Sequence, residues 1–183
     1  MWAKKDVKDL KIAISGKSGC GNTTVSRIIA DSLGIRFINF TFRSLSHERG
    51  ISLQEVLNLA AEDDSWDREV DTRQVKMAQE EGGCVLGSRL AVWMLPEADL
   101  KIYLKARPEI RAKRIHFREG NSLKDIEEFT ALRDRQDHER YKRIYNIDND
   151  DYSFVDLVID TDEVLPNDIA CIIIDEMKKK LSV

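Results

Sequence analysis

Cysteine is scarce in this chain, and the three present, Cys20, Cys84 and Cys171, make no Cys-x-x-Cys spacing. An odd, unpaired count excludes a disulfide framework and a zinc site, and predicts reduced thiols in a cytoplasmic setting. Proline is equally rare, at 3 in 183 residues, and no stretch rich in proline, glycine and serine divides the chain. Long apolar runs are missing as well. None approaches the roughly 20 residues that span a bilayer, so no membrane partner is expected. The opening Met1-Trp2-Ala3-Lys4-Lys5-Asp6 leads into no long apolar segment with a cleavage site, and is not read as a secretory signal. Nor is there an excess of positive charge: Lys+Arg 29 against Asp+Glu 33 gives a net charge of −4, so a globally basic nucleic-acid binder is not expected. Internal repeats are absent too. What remains fits one domain over residues 1–183, long enough to bury a sizeable core.

The order of signals is strand then helix, repeated. Leu10 to Ser15 is a short, largely apolar strand, and a glycine-rich turn follows at once. Val25, Ile28, Ile29 and Leu33 fall at helical spacing between Thr23 and Leu33, with Gly34 as the stop. Phe37 to Phe40 is a second strand. Ser44 to Glu81 reads as helices broken near Gly50 and Asp63-Asp64, with Ser52-Leu53-Gln54-Glu55 as a capping box. Cys84-Val85-Leu86 and Leu100 to Leu104 are the third and fourth strands. Helices are predicted from Pro108 to about Arg118, ahead of Gly120, and from Ser122 to about Tyr145. Asp156 to Asp160 is a fifth strand, and Pro166 to Leu181 a closing helix. This alternation predicts an α/β fold whose parallel sheet is covered on both faces.

The most informative segment is Gly16-Lys17-Ser18-Gly19-Cys20-Gly21-Asn22-Thr23-Thr24. It follows the first strand and opens the first helix, the context a phosphate-binding loop needs. Glycines let the backbone wrap a polyphosphate, and successive N–H groups with the helix N-terminus supply positive partial charge. Thr23 stands where this loop type uses a hydroxyl to hold magnesium. One position departs from the pattern: Asn22 occupies the place of the usual lysine and cannot neutralise a phosphate. Lys17, or arginines from elsewhere in the chain, would have to compensate.

Basic charge concentrates between Lys105 and Arg143, with 12 basic residues against 8 acidic ones. Arg111, Arg114 and Arg118 share one helix face, and Arg133, Asp137 and Arg140 another. Two facing ladders of this kind would clamp a highly charged anion, since planar guanidinium forks suit phosphate oxygens. A solvated hairpin of internal ion pairs is the alternative reading of the same spacing.

Taken together these residues resemble the cytidylate kinases, especially their compact archaeal form, over nearly the whole chain. The resemblance rests on the phosphate loop with a non-lysine residue before its threonine, on Phe42-Arg43, and on Glu48 to Leu53. Asp67 to Gln74, Ser88-Arg89-Leu90-Ala91-Val92-Trp93-Met94 and Ala98 to Ala106 extend it. Arg133, Asp137, Arg140 and Leu157 to Thr161 complete it. It implies a P-loop kinase with a five-stranded parallel sheet, a helical acceptor-binding insertion over about residues 40–81 and a lid region over about 107–140. It also implies transfer of the γ-phosphoryl of ATP to CMP or dCMP with Mg2+, by a monomer or weak dimer whose partners are small-molecule nucleotides.

By the same resemblance, Gly16 to Thr24 with Arg111 and Arg118 would bind ATP, and Thr23 the metal. Arg43, Arg68, Arg89, Arg133, Asp137 and Arg140 would bind the acceptor. Arg89, Arg114, Arg133 and Arg140 would serve the transfer itself. The chain departs from the family pattern at Gly87, where the compact form has an acidic residue two places before the arginine. The loop Asn39 to Arg43 is also short. Asp67 and Asp71 are expected to be solvated helix residues rather than base contacts, and Trp66 and Trp93 packing residues. His47, His116 and His138 are given no role, and Cys20 shows no activating feature. Rival readings of the same sequence are a kinase for another small acceptor, a non-catalytic nucleotide-binding regulator and an RNA-binding module.

Overall fold

A computed structural model describes residues 6–120 and 122–181. Five strands, β1 (Lys11–Gly16), β2 (Arg36–Ile38), β3 (Cys84–Gly87), β4 (Leu100–Lys105) and β5 (Leu157–Asp160), pair in the order β2-β3-β1-β4-β5, every pair parallel. β1 is central, and its residues alternate between two cores. Ile12 and Ile14, level with Val85 and Ile102, belong to a core closed by Val25, Ile29, Ile169 and Ile173. Ala13, level with Leu86, faces Ala78, Val92 and Leu95 on the other side. Burial of both faces is why these strands read as nearly continuous apolar runs. Each large aliphatic side chain so enclosed contributes on the order of 2 kcal/mol.

The helices begin and end where the local chemistry directs. α1 (Asn22–Leu33) stops at Gly34, whose φ of 65° is open to glycine at little cost and whose N–H caps the last turn. α2 (Phe42–Arg49), α3 (Leu53–Glu62) and α4 (Ser65–Gln79) occupy the interval between β2 and β3. α2 starts two residues before the expected Ser44, because Thr41 and Ser44 bond reciprocally to each other's backbone as a capping box. Ser52 caps α3 by accepting from Glu55 N–H, one half of the expected capping box. α5 (Ala91–Met94) was not foreseen, being a single turn too short to show a period. α6 (Pro108–Glu119) and α7 (Leu123–Tyr145) form a hairpin packed through Ala112, Ile115 and Ile126, with Pro108 in the first turn of α6 and Ser122 capping α7. α8 (Pro166–Leu181) lies against α1. The chain order places β3 and β4 on either side of β1, so the connections diverge at the carboxyl end of β1, where open α/β sheets form their crevice.

Candidate active site

β1 delivers the glycine-rich loop to that crevice, and close backbone packing sets its shape. A Cβ at Gly16 would stand 2.6 Å from the Leu104 carbonyl oxygen, and one at Gly19 2.8 Å from the Arg111 carbonyl oxygen. Gly19 also holds a φ of 86°. Asn22 does not reach out of the loop as a lysine would. Its Nδ2 donates to the carbonyls of Ile14 (3.0 Å) and Ser88 (3.1 Å), and its Oδ1 accepts from Ser26 Oγ (3.0 Å). The side chain ties the start of α1 to the ends of β1 and β3. Thr23 and Thr24 are exposed on the first turn. Cys20 is buried, and burial pushes its thiol up to about 11, so it carries no thiolate at neutral pH and has no redox activation.

Gly87 ends β3 level with Ile14, on the face that meets α1. A Cβ there would lie 2.5 Å from Ser26 Oγ and 3.1 Å from Asn22 Oδ1. The absence of a carboxylate at this position and the presence of Asn22 are therefore one packing solution. Asn39 Nδ2 donates to the Gly87 carbonyl at 2.5 Å, anchoring the short loop before α2 to the same point.

Immediately beyond, Arg89 projects from the turn between β3 and α5. Its Nη1 lies 3.1 Å from Asp137 Oδ2 on α7, and Arg140 Nη2 donates to Asp137 Oδ1 at 2.8 Å. Arg133 Nε lies 4.0 Å from the same carboxylate. Arg140 Nε approaches Asp67 Oδ1 at 3.2 Å without the alignment of a hydrogen bond. Three guanidinium groups thus share two carboxylates. Burial and the neighbouring Arg89 charge hold Arg133 below the usual guanidinium range.

On α4, Asp67 and Gln74 are buried and Asp71 is largely enclosed. The expectation that Asp67 and Asp71 are solvated is therefore corrected: Arg140 and Tyr145 of α7 reach over this face of α4. Burial raises Asp67, and raises Asp71 to about 6 although Tyr145 Oη donates to it at 2.8 Å. Asp67 Oδ2 and Gln74 Oε1 are buried acceptors without a donor.

Of the other residues singled out in the sequence, Lys17 lines a cavity with Gly16, Arg89, Tyr103, Asp134, Asp137 and Asn149. Arg111 and Arg114 come to the loop but bind protein. Arg111 Nη1 donates to the Ser18 carbonyl, and its guanidinium pairs with Asp134 at 2.5 Å. Arg114 donates to the Gly19 carbonyl and to Thr161. The first ladder is accordingly not a free clamp. Its outer member, Arg118, is exposed and paired with Glu119. Arg43 is exposed at the start of α2. Arg68 donates to the Ile144 carbonyl at 3.0 Å and lies over Tyr145, joining α4 to α7 rather than lining the cavity. Trp93 packs edge-on against Tyr103 and Phe154, and Trp66 lies under Arg49, as packing residues.

Sequence reasoning missed Asp134, Tyr103, Asn149 and Asp150. Asp134 was legible, since it shares an α7 face with Asp137 at i+3. Asn149 and Asp150 come from an irregular segment that carries no periodic signal.

A roomier groove of about 370 Å³ lies between α6 and α7, lined by Pro108, Glu109, Glu127, Thr130 and Ala131. Its cation, Arg111, is already neutralised and its rim is acidic, so its chemistry does not suit a polyphosphate.

The description of the cytidylate kinase-like family matches residues 11–163. The chain belongs to that family. It is 46% identical over 175 residues to a cytidylate kinase 2 of Borreliella burgdorferi, covering 93% of this chain and 97% of that one. With a cytidylate kinase of Archaeoglobus fulgidus the identity is 38% over 154 residues, covering 83% and 86%. Among solved structures, a shikimate kinase from Acinetobacter baumannii in complex with shikimate superposes with a TM-score of 0.66 at 19% identity, covering 97% and 98%, a likeness of fold alone.

Proposed function

We propose that the chain is a nucleoside monophosphate kinase that moves the γ-phosphoryl of ATP to CMP or dCMP, giving ADP and CDP or dCDP. The observation that carries this reading is a narrow crevice of about 10 Å³ lined by Lys17 of the phosphate loop together with Arg89 and, from α7, Asp134 and Asp137. The cytidylate kinase names of relatives at 38–47% identity support the choice of acceptor.

ATP lies with its phosphates along the loop N–H groups and the first turn of α1. The acceptor phosphate lies against Arg89, with Arg133 and Arg140 behind. An acceptor phosphate oxygen attacks the γ-phosphorus, the bond from that phosphorus to the β,γ-bridging oxygen breaks, and ADP leaves with the electron pair. No side-chain nucleophile takes part. The protein's work is to hold two anions in line and to neutralise the charge between them. Thr23, exposed on the first turn of α1, offers a hydroxyl that would hold a magnesium ion. Such an ion would supply charge neutralisation at the phosphates. Residues 40–81 serve the acceptor and 107–140 cover ATP.

The α4 acceptors favour a base that brings donors. Cytosine presents an exocyclic amino group to Asp67, Asp71 or Gln74, where uracil presents a carbonyl that would face a buried carboxylate. Leaving a buried polar group unpaired costs about 1–3 kcal/mol, a factor large enough to set a preference. A panel of CMP, dCMP, UMP and AMP with ATP and magnesium, read as acceptor-dependent ADP release, tests the proposal. Turnover is expected with CMP and dCMP ahead of UMP, and none with any pyrimidine monophosphate removes it.

A further inference from the structure

We propose that Lys17 is a catalytic residue of this chain, the cation that replaces the missing loop lysine, and that Asp150 positions it. The inference rests on the kinase reading above and adds to it the source of the charge at the transferred phosphoryl.

Three observations lead there. Asn22, at the lysine position, has both amide protons committed to main-chain carbonyls and its oxygen committed to Ser26. No lysine-like group can swing out of that place, and Gly87 with Ser26 closes the space beside it. Of the remaining loop residues from Gly16 to Thr24, only Lys17 is cationic. Arg111 and Arg114, the nearest guanidiniums on α6, are occupied by Asp134, Thr161 and the carbonyls of Ser18 and Gly19. Lys17 differs from them. It lines the same narrow crevice as Arg89, the residue assigned to the acceptor phosphate, so in the kinase reading its charge would fall between donor and acceptor. A cation in that place acts on the phosphoryl in flight, where neutralisation lowers the barrier most.

Asp150 gives Lys17 its direction. The Nζ–Oδ1 separation is 2.6 Å, with the lysine side chain 28% and the aspartate 54% exposed. A pair open to water in this way is weak and exchangeable. A polyphosphate carrying several negative charges can take over the ammonium without stranding a buried partner. The segment carrying Asp150 is held in register on both sides: buried Asn149 shares a hydrogen bond with His138 at 2.9 Å, and Tyr152 stacks on Tyr103 at 4.0 Å. Asp150 Oδ2 also lies 3.5 Å from His138 Nδ1.

The test compares Lys17→Ala, Lys17→Arg and Asp150→Asn with the unaltered chain. Two readouts are needed: calorimetric titration with ATP and magnesium, and the kcat and KM of CMP-dependent ADP release. Lys17→Ala is expected to lower kcat by about 10²–10³-fold, the effect of removing one preorganised charge, and to weaken ATP at least about tenfold. Lys17→Arg is expected to restore most of both. Asp150→Asn removes the competitor for the ammonium and is expected to lower the ATP KM several-fold with a smaller change in kcat. A Lys17→Ala protein with unaltered ATP affinity and kcat overturns the proposal while leaving the kinase reading in place. ATP binding that depends on Lys17, without CMP-dependent turnover in the unaltered chain, overturns the kinase reading and leaves Lys17 as the phosphate cation. An Asp150→Asn protein that binds ATP more weakly overturns the positioning role.

Discussion

Around Gly87 the chain packs backbone against small side chains, with Asn22, Ser26 and Asn39 all within reach of a residue that has no side chain of its own. Around Asp137, which lines the cavity beside Arg89, it packs charge against charge, three arginines on two carboxylates. The first region satisfies its polar atoms internally. The second leaves Asp67 Oδ2, Gln74 Oε1 and Arg140 Nε buried without partners. Unpaired buried atoms are costly, and native structures keep few of them. A region that is complete by itself serves as a mould for the loop. A region that is incomplete is arranged for something else to complete it.

Changing Arg89 to alanine breaks the charged region at its centre. Turnover with CMP is expected to fall by about 10²–10³-fold, because a phosphate-facing charge is lost. The fold should survive, since Asp137 keeps Arg140 at 2.8 Å. Steady-state kinetics together with a thermal melt check both halves.

In the moulded region, Gly87→Ala is expected to destabilise the protein by about 1–3 kcal/mol through overpacking against Ser26. Adding Ser26→Ala should recover part of that loss, a coupling that a double-mutant cycle in urea measures. Additive effects would mean that the two positions do not meet.

The charged region also predicts a pH dependence of stability. Burial lifts Asp71 from about 3.8 to about 6, so the folded state prefers the protonated acid. The stability it contributes is fully present below pH 4 and is lost as the pH rises through about 6. Asp71→Asn should flatten that fall and gain about 1–2 kcal/mol over the unaltered chain at pH 7. Urea midpoints taken from pH 4 to 8 would show it. The smallest effect is expected from Arg118→Ala, outside both regions. An exposed pair with its neighbour is worth little, so stability should stay within about 0.5 kcal/mol.

Much of the fold was legible because its determinants are local. Gly34, Gly50, Pro108, Gly120 and Ser122 each mark a helix end by their own backbone or capping chemistry, and the ends fall at or beside them. The apolar runs of β1, β3 and β4 announced a sheet covered on both faces. The site was legible only in part. Arg89, Asp137 and Arg140 do meet, but the neat ladder on α6 does not stay free, because Asp134 and Thr161 reach two of its members. A helical spacing says which side chains share a face and nothing about what that face meets.

By itself the sequence determined the strand–loop–helix unit that begins at Lys11, the places where helices start and stop, and the concentration of arginines after the fourth strand. These follow from φ preferences, side-chain caps and the period of apolar residues, all confined to a few neighbouring positions. Only the tertiary structure decided that Asn22 faces inward, that Gly87 must lack a side chain, and that Lys17 rather than Arg118 stands with Arg89. Those outcomes depend on contacts between residues tens of positions apart, where van der Waals exclusion and competition for hydrogen-bond partners choose among side chains that the linear order leaves equivalent.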